Sequence, residues 1–574
     1  SAEYDYKHEK MLRAFNTLYA EYEIIKNLKF KTTFSYDYTT VKGEKWYDPR
    51  TSNGEDENGE VVKRIREYKK MVWSNTLNYL TTFNNIHHLD FLAGYEIDDT
   101  YNDYLSGEAY NFTTPDKHAI SNGMKTVSVG GSDSRYRLVS YLSRLNYDYK
   151  NKYYLGASFR VDGSSRLHRD NRWGTFWSVS GAWRTIEEEF MQPVKDWLTD
   201  LRIRASYGVN GTLPSDYFGY MGLSSISGGY LEQPGIQMSQ IANPNLKWET
   251  NYNMNIGLDF GFWDRLNFTI EYYTRTTKNL LMDCPVSMTT GFSSYLMNIG
   301  EVKNKGIELT INSTNIKIKD FSWNTTFNLG HNSNKVVKLD GEQTQIVSGT
   351  QIHKVGSSYR TFYVQEFAGI NPETGNPLFY TNELDENGNY IKEITENSKN
   401  AQFIPYKHAE PTVNGGISNS LRYKWLDLNF LFSYQFGGYS YDTWAQKTEH
   451  GGYDSYANIP TYYRDSWKKP GDQTNIEVYM LGKSSSVSMH KITSSRRIHS
   501  TDYFRLKNIT FGITLPKEWT NKINIGNVRF YASASNLWTW AAYDNYDPEA
   551  VSAGSATQTT PPLKTVTFGF NINF

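Results

Sequence analysis

Between residues 247 and 281 the chain reads KWETNYNMNIGLDFGFWDRLNFTIEYYTRTTKNLL, and apolar and polar positions alternate along it. Met254, Ile256, Leu258, Phe260 and Phe262 are interleaved with Asn253, Asn255, Gly257, Asp259 and Gly261. After Trp263-Asp264, Leu266, Phe268, Ile270 and Tyr272 are interleaved with Asn267, Thr269, Glu271 and Tyr273. A period of two is strand periodicity and gives each strand one apolar and one polar face. Strands of soluble proteins average about 5–6 residues. Runs of about 10, with aromatics at their ends, suit a wall with lipid on one side and a wet lumen on the other. A large soluble β-protein is the competing reading of this hairpin.

The same alternation recurs and predicts about seventeen strands, over residues 10–23, 28–40, 67–82, 87–99, 135–149, 153–161, 173–184, 201–209, 249–262, 266–279, 304–313, 321–332, 413–423, 426–437, 503–515, 527–537 and 563–574. In the strand from 503, Lys507 falls on the face of Ile509 and Phe511, which predicts a bulge or a position above the membrane. The connections alternate short and long. Short ones lie at 26–27, 84–85, 151, 263–264, 315–320, 424–425 and 516–524, and long ones at 41–66, 100–134, 210–248, 280–303, 333–412, 438–502 and 538–562. Residues 163–172 are brief for the long set. Residues 185–200 are extended for the short set and predict a small helix, with Thr185 and Glu188 spaced as a capping box. Sorting of turn lengths by parity is the pattern of outer-membrane barrels. It sends the first and last strands towards the short-turn, periplasmic side. Closed bacterial barrels normally have an even strand number, so an odd count starting in this direction predicts an odd number of strands upstream.

Composition removes other classes. The net charge is −1, so no nucleic-acid partner is expected. Mean hydropathy is −0.63, and no run of 18 apolar residues occurs, which leaves helical spans out and barrel strands in. Aromatic residues reach 16%, enough for girdles and sticky loops. The lone cysteine, Cys284, has no internal disulfide partner and reads as a loop bystander. The stretches 56–60 and 385–389 have the acidic and Asn content of calcium loops but lack the Gly and Glu positions, and Asn-Gly hairpin tips explain them. His87 and His88 are adjacent on a strand, hence on opposite faces, and make poor joint ligands. No nucleophile elbow, phosphate loop or zinc spacing occurs, so neither enzyme activity nor a cofactor is expected.

Six stretches together resemble one family. They are Arg160-Val161-Asp162-Gly163-Ser164-Ser165-Arg166 with Arg172-Trp173-Gly174; Glu188-Glu189-Phe190-Met191 with Leu201-Arg202-Ile203-Arg204; Asn243-Pro244-Asn245-Leu246-Lys247-Trp248-Glu249; Asn298-Ile299-Gly300-Glu301-Val302-Lys303-Asn304; Gly369-Ile370-Asn371-Pro372-Glu373-Thr374-Gly375; and Tyr503-Phe504-Arg505-Leu506-Lys507-Asn508. In order and spacing the chain resembles the C-terminal part of a SusC/RagA-type TonB-dependent outer-membrane transporter. The resemblance implies an all-β transmembrane antiparallel barrel with about 17 of 22 strands here. Residues 1–574 are then the C-terminal part of one barrel domain with long extracellular loops, its plug and N-terminal strands lying outside this sequence. It implies import of a large nutrient, an oligosaccharide or oligopeptide. Its implied partners are a SusD-like surface lipoprotein, the TonB–ExbB–ExbD complex acting through the plug, and outer-membrane lipid, in a dimer of transporter–lipoprotein pairs. The alternatives are a passive porin or a secreted carbohydrate-binding or structural β-protein.

Candidate residues follow. Asp259, Glu271, Arg202 and Arg204 are expected to face the lumen, where contact with a plug outranks acid–base chemistry. Phe570 and Phe574, alternate aromatics of the last strand, resemble the assembly signal of outer-membrane barrels. The loop at 438–502 carries Tyr439, Tyr441, Trp444, Tyr453, Tyr456, Tyr462, Tyr463 and Trp467. So many aromatics predict an ordered loop that packs and meets a partner or stacks on sugar rings.

Overall fold

A computed structural model describes residues 3–230, 233–339, 344–453, 458–482, 488, 489, 491–520, 522, 525–551, 553–556 and 559–573. Among them, seventeen long strands carry the wall. In chain order they are β1 (Tyr6–Ile25), β2 (Leu28–Tyr47), β3 (Glu60–Phe83), β4 (His87–Phe112), β5 (Gly123–Tyr149), β6 (Tyr153–Ser164), β7 (Trp173–Trp183), β8 (Leu198–Thr212), β9 (Glu249–Phe262), β10 (Leu266–Pro285), β11 (Ser294–Lys317), β12 (Phe321–Leu339), β13 (Val413–Tyr423), β14 (Leu426–Phe436), β15 (Tyr503–Thr514), β16 (Asn527–Ala541) and β17 (Thr565–Asn573). Every run of alternation is a strand. Several strands are far longer than their alternation: β3, β4 and β5 have 24, 26 and 27 residues. Beyond the clean runs the period of two fades while the backbone ladder continues. The predicted loop 100–134 therefore shrinks to 113–122.

The chain divides into two compact units, one of Ser1–Trp183, Ser206–Tyr252 and Lys278–Asn298, the other of Arg184–Ala205, Asn253–Thr277 and Ile299–Phe574. In the first, β1 to β7 form an antiparallel meander whose register shifts only at Glu23/Ile25 and Glu108/Ala109 among the described residues. Asn84, Asn85, Lys150 and Asn151 take positive φ at its short turns, the backbone that two-residue hairpins demand. Its apolar face is the exposed one, with Leu155 at 62% and Phe159 at 49%. Two apolar cores lie away from that face. Trp46, Val61, Ala109 and Phe112 join the far ends of the long strands, and Leu167, Phe176, Leu246 and Trp248 tie the loops together.

In the second unit, β11 to β17 pair antiparallel in chain order. Trp263 and Asp264 both take positive φ at the turn between β9 and β10. Three tyrosine rings lie across glycines of a neighbouring strand. A Cβ on Gly306 would stand 2.6 Å from the Tyr273 hydroxyl, one on Gly415 2.5 Å from that of Tyr434, and one on Gly569 2.5 Å from the Tyr531 ring. These contacts explain glycines that alternation alone leaves without a purpose. The register of β14 on β15 shifts across Lys507, so that residue is a bulge. In β17, Phe568 and Phe570 are exposed at 80% and 67%; Phe574 lies outside the described residues.

Two expectations change. The spacing of Thr185 and Glu188 predicts a capped helix, but the segment forms two 3-10 turns, Thr185–Glu187 and Glu189–Val194, whose caps make no side-chain hydrogen bond. Pro193 inside the second turn limits it. Cys284, read as a loop residue, is buried near the end of β10.

Candidate functional site

The long connections of the second unit fold into small sheets with cores of their own. Gln345–Ser348, Gln351–Lys354, Thr361–Gln365 and Phe403–His408 make one sheet, and Tyr439–Asp442, Ile498–Ser500 and Ser555–Ala556 another. Phe362, Val364, Tyr441 and Ile498 form a buried cluster of the two. The predicted aromatic set divides accordingly. Tyr441 and Tyr463 are buried at 1% and 4%. Trp467 lies against Gly375, which has φ +70°, and its Nε1 donates to the Pro372 carbonyl at 2.7 Å. Glu396 clamps the same turn by accepting from Thr374 at 2.7 Å, Asn376 at 3.0 Å and Asn371. Tyr439 is half-buried with the Lys407 ammonium over its ring. Trp444, Tyr453 and Tyr462 remain exposed. Tyr456 lies outside the described residues.

Trp444 borders a cavity of about 700 Å³, with Asp442, Arg505, Trp540, Asn545 and Asp547 also on its walls. Asp442 caps the helix Thr443–Thr448 by accepting from the Ala445 N–H at 2.7 Å. Its other oxygen accepts from Tyr543 at 3.0 Å and Asn545 at 3.1 Å. Arg505, almost wholly buried, pairs with Asp547 at 2.6 Å and with Glu549, and Lys507 reaches Glu549 at 2.7 Å. Sequence reasoning did not single out this cluster. Its one signal was the charged Arg505 and Lys507 in a strand pattern that calls for apolar residues.

Nearby in the same loops, Glu449 receives Arg497 and the Tyr462 hydroxyl, with Arg496 at 3.6 Å. Burial pushes the Arg497 guanidinium down to about 10, so it stays charged at neutral pH. His499 stacks flat on Tyr543 with centroids 3.7 Å apart, and burial pushes its imidazole from 6.5 down to about 4. The open loop takes up this proton below 6.5 and the closed loop only near 4. The contribution is therefore complete above 6.5 and fades as pH falls towards 4, by up to about 3 kcal/mol. Amide exchange around Ile498–Ser500, corrected for intrinsic rates, is expected to show less protection near pH 5 than near pH 7.5. His499→Gln should lose most of that dependence; equal wild-type protection at both pH values would refute it. His353, also held down by burial, leaves a smaller residue of the effect.

The four polar wall residues come together. Asp259, 6% exposed, accepts from Arg202 Nε at 3.0 Å, Arg204 Nε at 3.2 Å and Thr269 at 2.9 Å, while Arg204 also pairs with Glu271. Two arginines meet two carboxylates, so the cluster is internally neutral, and Arg204 lies over Gly257 where no Cβ intervenes. Such a network of paired charges holds neighbouring strands together.

The recurring stretches of the first unit are fasteners. Asp162 pairs with Arg160 at 2.7 Å. The Arg166 guanidinium sits between Tyr136 and Tyr217, 4.0 and 4.3 Å from the ring centres. The Trp248 Nε1 donates to Arg172 O at 2.9 Å, and Asn298 joins Lys247 and Asn279 at 3.0 and 2.8 Å. These side chains close loops onto strand ends, which accounts for their spacing.

Comparison with known proteins agrees with this architecture. The family described as TonB dependent receptor-like, beta-barrel matches residues 2–382. TonB-dependent receptor P3 of Formosa agariphila is 31% identical over 97% of this chain and 57% of its own length. TonB-dependent receptor SusC of Bacteroides thetaiotaomicron is 30% identical over 82% of this chain and 47% of its own. The RagAB peptide transporter superposes with a TM-score of 0.89 at 26% identity, covering 100% of this chain and 63% of that one. The chain thus spans roughly half to three fifths of the curated relatives it matches. Wall, loops and likeness agree: this chain belongs to the TonB-dependent receptor β-barrel family, is of the SusC and RagA type, and resides in the outer membrane of a Gram-negative bacterium.

Proposed function

We propose that the chain supplies wall strands and extracellular loops to a TonB-dependent importer of a large nutrient, an oligopeptide or oligosaccharide. The likeness of the whole of this chain to part of the RagAB peptide transporter supports this reading. In it, residues 1–574 are the C-terminal part of the barrel domain, a plug contributed from outside them rests on the Arg202–Arg204–Asp259 network, and TonB–ExbB–ExbD acts through that plug. A SusD-like lipoprotein caps the folded loops, and two such pairs associate.

Of the predicted aromatic set among the described residues, Trp444, Tyr453 and Tyr462 are exposed, and Trp444 and Tyr453 are the candidates to meet lipoprotein or cargo. Tyr463 and Trp467 hold the loop itself, so excising residues 451–470 would collapse it. The cleaner test replaces Trp444 and Tyr453 together by Ala in the full-length protein and leaves Tyr462, whose hydroxyl donates to Glu449, in place. Lipoprotein co-purification or uptake of labelled peptide and glycan mixtures is expected to fall several-fold, as is usual when exposed aromatic anchors are truncated. A correctly assembled variant with both unchanged would remove these residues from recognition.

A further inference from the structure

On the outward face of the first unit, charged positions interrupt the apolar rows before Ile65, Leu105 and Val129 resume them. Along β4 the outward residues are Phe91, Ala93, Tyr95 and Ile97, and along β5 Leu145, Ser143, Tyr141 and Val139. From His87 to Ile97, a tilted strand climbs about 25–28 Å, the height of the apolar band. The next outward positions are Asp99 and Tyr101 on β4, paired with Arg137 and Arg135 on β5. Lys69 on β3 sits opposite Tyr101 and Tyr38. Arg135 binds Asp99 through Nε at 2.7 Å and Nη2 at 2.5 Å, and Arg137 donates its Nε to the same carboxylate at 2.8 Å. Both guanidiniums are more than half exposed, at 52% and 58%. Lys69 pairs with Glu67 at 2.8 Å and hovers 5.9 and 5.8 Å from the Tyr38 and Tyr101 rings.

Three cations and two tyrosines thus occupy two successive outward rows at the edge of the apolar band, Arg137 in the lower and Arg135, Lys69, Tyr38 and Tyr101 in the upper, on the side of the long loops. One carboxylate shared by two arginines leaves that cluster positive and orients both guanidiniums. A row higher stand Asp103, Asp133 and Glu67, the last paired with Lys69, so the excess positive charge lies on Arg135 and Arg137 and an anion is confined to their side of Asp103 and Asp133. We propose that Lys69, Arg135 and Arg137 bind the phosphorylated headgroup of a lipid of the outer leaflet, whose chains lie on the apolar rows beneath. Interfacial cations hold anionic headgroups this way, and tyrosine suits the same depth. The inference rests on residence in the outer membrane and not on transport.

The test uses the full-length protein in detergent, with native mass spectrometry as the readout. It is titrated with phosphorylated lipid A, with the same lipid after enzymatic dephosphorylation, and with inorganic phosphate as competitor. Wild type is expected to retain the phosphorylated lipid in preference to the dephosphorylated one. Arg135→Gln/Arg137→Gln should lower that retention on the order of twenty-fold and Lys69→Gln about five-fold. Lys69→Gln leaves the Asp99 cluster intact and decides the matter should the double variant fail to assemble. Equal retention by wild type and variant, or no preference for the phosphorylated lipid, overturns the proposal. Displacement by inorganic phosphate alone also overturns it, since the site would then bind free anion.

Discussion

Arg497→Ala is expected to open the loop assembly around residues 438–502, costing it about 3–5 kcal/mol, the usual effect of removing one partner of a buried ion pair. Arg497 is 1% exposed and Glu449 9%, so the carboxylate left behind cannot recover water without the loop unfolding. The more distant Arg496 and the Tyr462 hydroxyl compensate only in part. Removing both charges, as in Glu449→Gln/Arg497→Met, should cost less than the single change, because no unpaired ion remains. Limited proteolysis of cells displaying the protein measures both variants. A single variant cleaved no faster than wild type would contradict the expectation, and a double variant cleaved as fast as the single one would contradict its electrostatic cause.

Phe568→Arg is expected to destabilise the folded wall by about 2–4 kcal/mol if the side chain faces the bilayer midplane. Phe568 stands five residues from Asn573 at the periplasmic end of β17, about 13 Å up a tilted strand and hence near mid-depth. Its neighbour Thr567 points to the other face, so Thr567→Arg should cost much less. Equilibrium unfolding in urea from lipid vesicles gives both values. Equal costs would mean that the 80% exposed Phe568 does not meet lipid.

The wall was legible because its signal is local: wherever one side of a strand meets lipid and the other water, every second residue declares its face. That is why Leu201, Ile203, Ala205, Tyr207 and Val209 sufficed to place a strand. Legibility stopped where this contrast stops. The distal halves of β3, β4 and β5 lose the period of two, with Val61 and Ala109 buried in a core of their own, and only their cross-strand ladder marks them as strands. The small loop sheets escaped for another reason. Their strands run to between two and six residues and bury side chains against partners distant in sequence, as Phe362 and Tyr441 do. The aromatic loop residues were visible as a set, but exposed Trp444 and buried Tyr463 look alike in sequence. For Arg202, Arg204, Asp259 and Glu271 parity indicated a shared polar face and no more; their pairing with one another depends on which strands lie side by side, which periodicity does not record. The Arg505 cluster depended on Asp547 and Glu549, brought back by a connection whose path no periodicity records.

The tyrosines lying over Gly306, Gly415 and Gly569 constrain how such a wall can be put together. A strand that pairs two residues out of step keeps its faces correct, so lipid and water cannot reject the mistake. The rings can. Displaced by two, Tyr273 would meet Asn304 or Glu308, Tyr434 would meet Val413 or Ile417, and Tyr531 would meet Thr567 or Asn571. Each of these carries a side chain in the space that only glycine leaves empty. The three glycines thereby serve as proofreading positions, turning an error that solvation cannot detect into a steric collision during insertion.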